Sequence, residues 1–281
     1  MNTSKKNEKR TKGHFPDAAE DCRRAEEVPD TQQTRSPAYK LAFDDDAFLL
    51  SEEMRSVRIQ LEMQKPELVM QERGIESTIA IFGGARIPAP GQKVSGKPAA
   101  IAKSLEDKSD WYQVAEDFAK LASKEAMRTY GKEYVVVSGG GPGIMEAANK
   151  GAQELGAPSI GLNIVLPHEQ APNEFITPEL CFNFHYFATR KMHFLIRAKA
   201  LAAFPGGFGT FDELFETLTL IQTKKIEPMP VLLFNESFWR DVINWEKLAE
   251  HGTISEDDLK LFHFVETAEQ GWKIIQDFHG I

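Results

Sequence analysis

The stretch Tyr134-Val135-Val136-Val137-Ser138-Gly139-Gly140-Gly141-Pro142-Gly143-Ile144-Met145-Glu146-Ala147 decides the fold. Its opening residues form an apolar, strand-forming run, its glycines make a turn stripped of side chains, and a helical pattern begins at Ile144. Strand, glycine turn and helix in that order aim backbone N–H groups from a helix N-terminus, a ready cradle for phosphate. The arrangement recurs where Leu201 to Phe204 leads into Pro205-Gly206-Gly207-Phe208-Gly209-Thr210 and a further helical pattern. Two such turns point to a nucleotide or sugar-phosphate site. The plainer reading is tight helix–sheet packing, which glycine also serves.

Outward from these turns, strands and helices alternate. Strands are expected at Thr78 to Phe82, 134 to 138, Ser159 to Leu162, Leu180 to His185, 199 to 204 and Val231 to Phe234. Helices are expected at Ser109 to Met127, Ile144 to Leu155, Ala188 to Ala198, after the second glycine turn to Lys224, and from Ser237, with a last strand–helix pair closing the chain. That order implies an α/β fold, a Rossmann-like doubly wound parallel sheet with helices on both faces and ligands outside the carboxyl ends of its strands. Gly83-Gly84 ends the first strand, and Arg86 follows in a proline-marked loop. Three segments are expected: a disordered or extended polar tail over 1–43, an amphipathic helical segment over 44–76 opened by Asp44-Asp45-Asp46, and the main domain over 77–281.

The bulk numbers exclude several classes. A net charge of −9 argues against a protein that grips polynucleotide backbone over a wide surface. Two cysteines, Cys22 and Cys181, make no disulfide framework or metal quartet, and a reducing cytoplasm suits them. No apolar run reaches the ~20 residues of a membrane span. His168, His185 and His193 lack metal-ligand spacing, so no metal site and no cofactor is expected. The glycines lack the G-x-G-x-x-G dinucleotide spacing and no phosphate-loop lysine motif occurs, which leaves a nicotinamide oxidoreductase little support. The basic tail residues Lys5, Lys6, Lys9, Arg10 and Lys12 read as a solvated terminus.

Two places carry the chemistry. Glu213 follows Thr210 by three residues, a spacing that also fits a helix capping box. A carboxylate near a helix N-terminus should stay ionised, suited to cation stabilisation or water activation rather than proton donation. Arg190 and Lys191 stand in the first turn of their helix, where the macrodipole disfavours cations, so an anionic ligand or a carboxylate partner is expected beside them.

The runs Ser138-Gly139-Gly140-Gly141-Pro142-Gly143-Ile144-Met145-Glu146-Ala147, Arg190-Lys191 and Pro205-Gly206-Gly207-Phe208-Gly209-Thr210-Phe211-Asp212-Glu213 resemble the LOG (Lonely Guy) family, often labelled lysine decarboxylase. The resemblance covers about Ser77 to the C-terminus. It implies a phosphoribohydrolase that cleaves the N-glycosidic bond of nucleoside 5′-monophosphates, cytokinin riboside 5′-monophosphate or AMP, giving free base and ribose 5-phosphate. It further implies Arg190 and Glu213 as the catalytic pair. Substrate contacts would come from Gly139, Gly140, Gly141, Gly143, Lys191, Gly206, Gly207, Gly209, Thr210 and Arg86, and a homodimer or assembly of dimers is the implied state. The loop Gly83-Gly84-Ala85-Arg86 carries a longer proline-containing insertion than compact members of that family. A non-catalytic nucleotide sensor is the competing reading, whereas nothing indicates a Schiff-base lysine for decarboxylation.

Overall fold

A computed structural model describes residues 17–167 and 171–281. His168 and the basic residues between Lys5 and Lys12 lie outside the described residues. By compactness the chain divides into a unit ending at Leu61 and a larger unit, Glu62–Ile281. In chain order the helices and strands are α1 (Ala18–Glu26), α2 (Asp46–Leu49), α3 (Arg55–Glu72), β1 (Thr78–Phe82), α4 (Ala99–Glu106), α5 (Asp110–Arg128), β2 (Val135–Ser138), α6 (Ile144–Glu154), β3 (Ser159–Ile164) and β4 (Cys181–Phe184). There follow α7 (Phe187–Leu195), β5 (Ala198–Ala203), α8 (Phe208–Gln222), β6 (Val231–Phe234), α9 (Glu236–Val242), α10 (Trp245–Glu250), β7 (His263–Val265) and α11 (Ala268–His279).

The N-terminal unit differs from the sequence expectation. Part of the polar tail is helical: α1 is opened by Asp17, whose carboxylate accepts from Glu20 N at 2.7 Å, and Glu20 pairs with Arg24 one turn on. The expected single helix from Asp44 is broken. Asp45 caps the short α2, and the long helix starts only at Arg55. The apolar residues Val57, Ile59 and Leu61 alternate rather than follow a helical period, and Ile59 and Leu61 stay exposed.

In the larger unit seven strands form one parallel sheet in the order β4-β3-β2-β1-β5-β6-β7. Its central strands are near-continuous apolar runs because both faces are covered. Alternation splits each run between two cores. Ile79, Ile81, Val136, Ala200, Ala202, Leu232 and Phe234 meet Phe118, Ala147 and Ile275 from α5, α6 and α11. Ala80, Phe82, Val135, Val137, Leu201 and Leu233 face Met70, Phe194, Leu214, Trp239 and Trp245 from α3, α7, α8, α9 and α10.

The strand order fixes where a ligand can enter. The chain winds from β1 to β4 in one direction, then returns to lay β5 beside β1 and winds the other way. Loops leaving the carboxyl ends of β1 and β5 therefore diverge, which opens a crevice at this switch point. Backbone bonds tie its floor, with Phe204 N donating to Phe82 O at 2.8 Å and Gly84 N to Pro205 O at 2.9 Å.

Candidate active site

A cavity of about 840 Å³ occupies that crevice, within the range of small-molecule sites. Gly83, Gly84 and Arg86 line it from the loop after β1, Gly139 from the first glycine turn, Met145 from α6 and Arg190 from α7. Gly206, Gly207, Gly209, Thr210 and Glu213 line it from the second turn and α8. The candidate catalytic pair and the whole second glycine turn thus share one cavity. Of the first turn only Gly139 reaches it, and Lys191 is not among its lining residues.

The first turn is built for close approach. Gly143 precedes α6 with φ of +69°, and a Cβ there would stand 2.4 Å from Gly84 O and 2.9 Å from the Ala85 carbonyl carbon. The turn is pinned against the loop after β1 by backbone alone, with no flexible side chain able to yield. Gly143→Ala is expected to cost about 3 kcal/mol or more of stability, read by urea unfolding. Gly209→Ala is the control: nothing lies within 4 Å of its Cβ position, so stability should hold. Side chains finish the turn. Gly140 N donates to Ser138 Oγ at 3.0 Å, while Asn173 Nδ2 donates to Gly140 O at 3.1 Å, Gly141 O at 3.0 Å and Asn149 Oδ1 at 3.0 Å.

Arg190 is held by the sheet edge. Its Nε donates to Leu162 O at 2.7 Å, its Nη2 lies 3.4 Å from Gly139 O, and the guanidinium sits 5.3 Å from the centre of the Phe194 ring. A Cβ on Gly139 would come within 2.6 Å of Nη2, so the glycine makes room for the arginine. Lys191 serves a different end. It bridges Asp212 and Glu216 at 3.0 Å each and so ties α7 to α8. Burial pulls its pKa down, but those two carboxylates outweigh it and hold the ammonium above its ordinary value.

Glu213 departs from the sequence expectation in its charge state, and the capping alternative at Thr210 is not formed. The N-cap of α8 is Gly207 and carries no side-chain cap bond, so Thr210 lies inside the first turn and Thr210-x-x-Glu213 is not a capping box. The helix starts three residues before the Thr–Glu pattern implies because Gly207 leads straight into helical backbone and the Thr210 side chain packs over Gly206. Glu213 therefore stands in the second turn, beyond most of the helix-terminus effect. There it is 6% exposed, and burial pushes its pKa up to about 7 instead of keeping it low. Lys191 and then Arg190 pull it back, while Glu216 and Asp212 push it higher. The result is a carboxyl group poised between its two forms near neutral pH.

Several participants carried no sequence signal. Lys108 lines the cavity from the turn after α4, and the rims include Phe187 and the 96% exposed Phe208. The cradle residue Asn173 comes from a polar loop with no motif around it.

Fold and cavity define a Rossmann-like α/β protein with its site at the switch point of a parallel sheet. Comparisons with known proteins show what the chain is similar to. The family model described as "Possible lysine decarboxylase" matches residues 145–275. Cytokinin riboside 5′-monophosphate phosphoribohydrolase LOG1 of Arabidopsis thaliana is 29% identical over 205 residues, covering 71% of this chain and 83% of that protein. The enzyme of the same name numbered LOG2, from the same plant, is 28% identical over 149 residues, 51% of this chain and 68% of its own. Among solved structures, the molybdenum cofactor binding protein of the phototrophic bacterium Rippkaea orientalis superposes with a TM-score of 0.45 at 16% identity, over 72% of this chain and 97% of that one. The LOG-family resemblance read from the motifs is shown by the family model and the named plant relatives. Among the described residues no helix is long and apolar enough to cross a membrane.

Proposed function

We propose that this protein is a phosphoribohydrolase that splits nucleoside 5′-monophosphates, AMP or a cytokinin riboside 5′-monophosphate, into base and ribose 5-phosphate. The observation that carries the reading is a buried carboxyl, Glu213, sharing one cavity with the Arg190 guanidinium between two glycine turns. The first turn of α8 offers backbone N–H groups and a helix N-terminus to the 5′-phosphate, and Gly207 and Gly209 leave its approach open. Binding energy from that remote phosphate places the scissile C1′–N bond against Glu213.

Cleavage of that bond leaves electron deficiency on the ribose ring, and an ionised carboxylate stabilises it electrostatically. As the C1′–N bond breaks, the same carboxylate accepts a proton from the water that adds to C1′ and later returns it to solvent, while the departing base takes up a proton from solvent. Acceptance requires the ionised form. Because burial raises the Glu213 pKa to about 7, kcat/KM should climb with pH through an acidic limb near pH 7, a region where an unperturbed glutamate gives a flat profile.

Purified protein incubated with AMP and with isopentenyladenosine monophosphate, and assayed for ribose 5-phosphate from about pH 5.5 to about pH 8.5 so that the limb is bracketed, tests both statements. Release of ribose 5-phosphate with the acidic limb supports the reading. Binding of either nucleotide without release would instead make the chain a nucleotide sensor.

A further inference from the structure

Helix α7 delivers Arg190 to the cavity, and its start is held by a residue outside both the glycine motifs and the family match. The Glu62 carboxylate on α3 accepts three bonds from the β4–α7 junction. His185 N donates to Oε1 at 2.7 Å, Tyr186 N to Oε2 at 3.3 Å, and the Thr189 hydroxyl to Oε2 at 2.7 Å. Tyr186 is the N-cap of α7 and makes no side-chain cap bond, so the helix borrows its acceptor from α3. The borrowed group is an anion at a helix N-terminus, where the macrodipole favours it. It sits one turn from the cations Arg190 and Lys191, which the same dipole disfavours.

Further along α3, the contact is repeated at the other end of α7. The Arg197 guanidinium grips Glu67 with Nη1 to Oε1 at 2.5 Å and Nη2 to Oε2 at 2.8 Å, and its Nε donates to Ile75 O at 3.2 Å. Between these anchors the buried His193 ring donates from Nε2 to Glu62 O at 3.1 Å. α3 therefore acts as a splint along α7, with Glu62 fixing the end from which Arg190 projects. Glu62 does not line the cavity itself.

We propose that Glu62 is a positioning residue for the cavity: its carboxylate sets the start of α7 and thereby the reach of the Arg190 guanidinium toward Leu162 O, Gly139 O and the ligand. This rests on the phosphoribohydrolase reading, in which Arg190 acts on the nucleotide. Displacement of a reacting group by about 1 Å is enough to lower rate by up to ~100-fold. A neutral amide at this position keeps one acceptor oxygen and loses the charge.

The test is a mutant cycle on the full chain with Glu62→Ala, Glu62→Gln, Arg190→Ala and the Glu62→Ala/Arg190→Ala double variant. AMP affinity by calorimetry, ribose 5-phosphate release and hydrogen exchange across residues 187–192 are read on the folded fraction. Expected are about tenfold losses of affinity and kcat/KM in Glu62→Ala, smaller losses in Glu62→Gln, and no further loss when Glu62→Ala is added to Arg190→Ala. Losses that multiply in the double variant overturn the proposal, because a residue acting through Arg190 has nothing left to disturb once Arg190 is gone. Unchanged exchange across α7 in Glu62→Ala overturns it whatever ligand binds. Wild-type protein that binds AMP without releasing ribose 5-phosphate sinks the hydrolase reading alone, and the affinity cycle then decides the role of Glu62.

Discussion

Glu213→Gln is expected to lower kcat by at least ~10³-fold and to make the protein more stable at pH 8 in the same preparation. The catalytic half follows from chemistry: an amide neither takes a proton from water nor bears the charge that an oxocarbenium-like ribose needs. The stability half follows from burial. Glu213 is raised from the ordinary 4.5 to about 7 in the folded state, so the folded protein holds that proton more tightly than the unfolded chain does. Between pH 4.5 and 7 the unfolded carboxyl ionises first, stability falls as pH rises, and above 7 the cost is complete. At 1.36 kcal/mol per unit the cost is about 3 kcal/mol, and glutamine, which resembles the protonated carboxyl, does not incur it. Urea unfolding at pH 8 should therefore favour the variant by roughly that amount, with the gap closing toward pH 4.5. A capping role predicts the reverse sign, a variant that is less stable at every pH. Retention of a tenth or more of wild-type turnover, on the order of one decade in rate, would remove Glu213 from the chemistry.

The sheet was legible because its signals are local. Val135–Ser138 and Val231–Phe234 are uninterrupted β-branched and aliphatic runs ended by a turn residue, and their bounds in the structure nearly coincide with the sequence reading. Which strands neighbour each other follows from long-range packing, but alternation of strand and helix already restricts the sheet to a parallel one with a switch point. The start of α8 was not legible. Gly206-Gly207 gives no side chain to mark an N-cap, so the Thr210 spacing left open a capping box that the structure does not form. Nor was the state of Glu213, since spacing reports a neighbouring helix end but not the burial that outweighs it. Contacts such as Asn173 to Gly141 and Glu62 to Thr189 join segments far apart in sequence through ordinary polar residues that belong to no motif. The expected carboxylate partner exists for Lys191, which Asp212 and Glu216 flank, while Glu62 holds the helix start through backbone N–H groups and the Thr189 hydroxyl.

Arg190 contributes geometry and charge, and the two separate by substitution. Arg190→Ala removes the bonds to Leu162 O and Gly139 O and withdraws a positive charge that lowers the Glu213 pKa. Without that charge the carboxylate is harder to form, so the Glu213 pKa rises and the acidic limb of kcat/KM moves to higher pH. Loss of one preorganised electrostatic group costs about 10²–10³-fold in rate, which is the expected fall at pH 8. Arg190→Lys keeps a charge near Glu213 but presents a point ammonium where a planar fork spans Leu162 and Gly139. Its limb should stay close to the wild-type position while its rate remains well below wild type. A wild-type limb in Arg190→Ala would mean the guanidinium does not act on Glu213, and full activity in Arg190→Lys would mean its fork geometry is dispensable. The remaining cation, Lys191, pulls on the same carboxyl from outside the cavity, so Glu213 in Arg190→Ala should still titrate, at a higher pH, as one group shifted by a single lost neighbour.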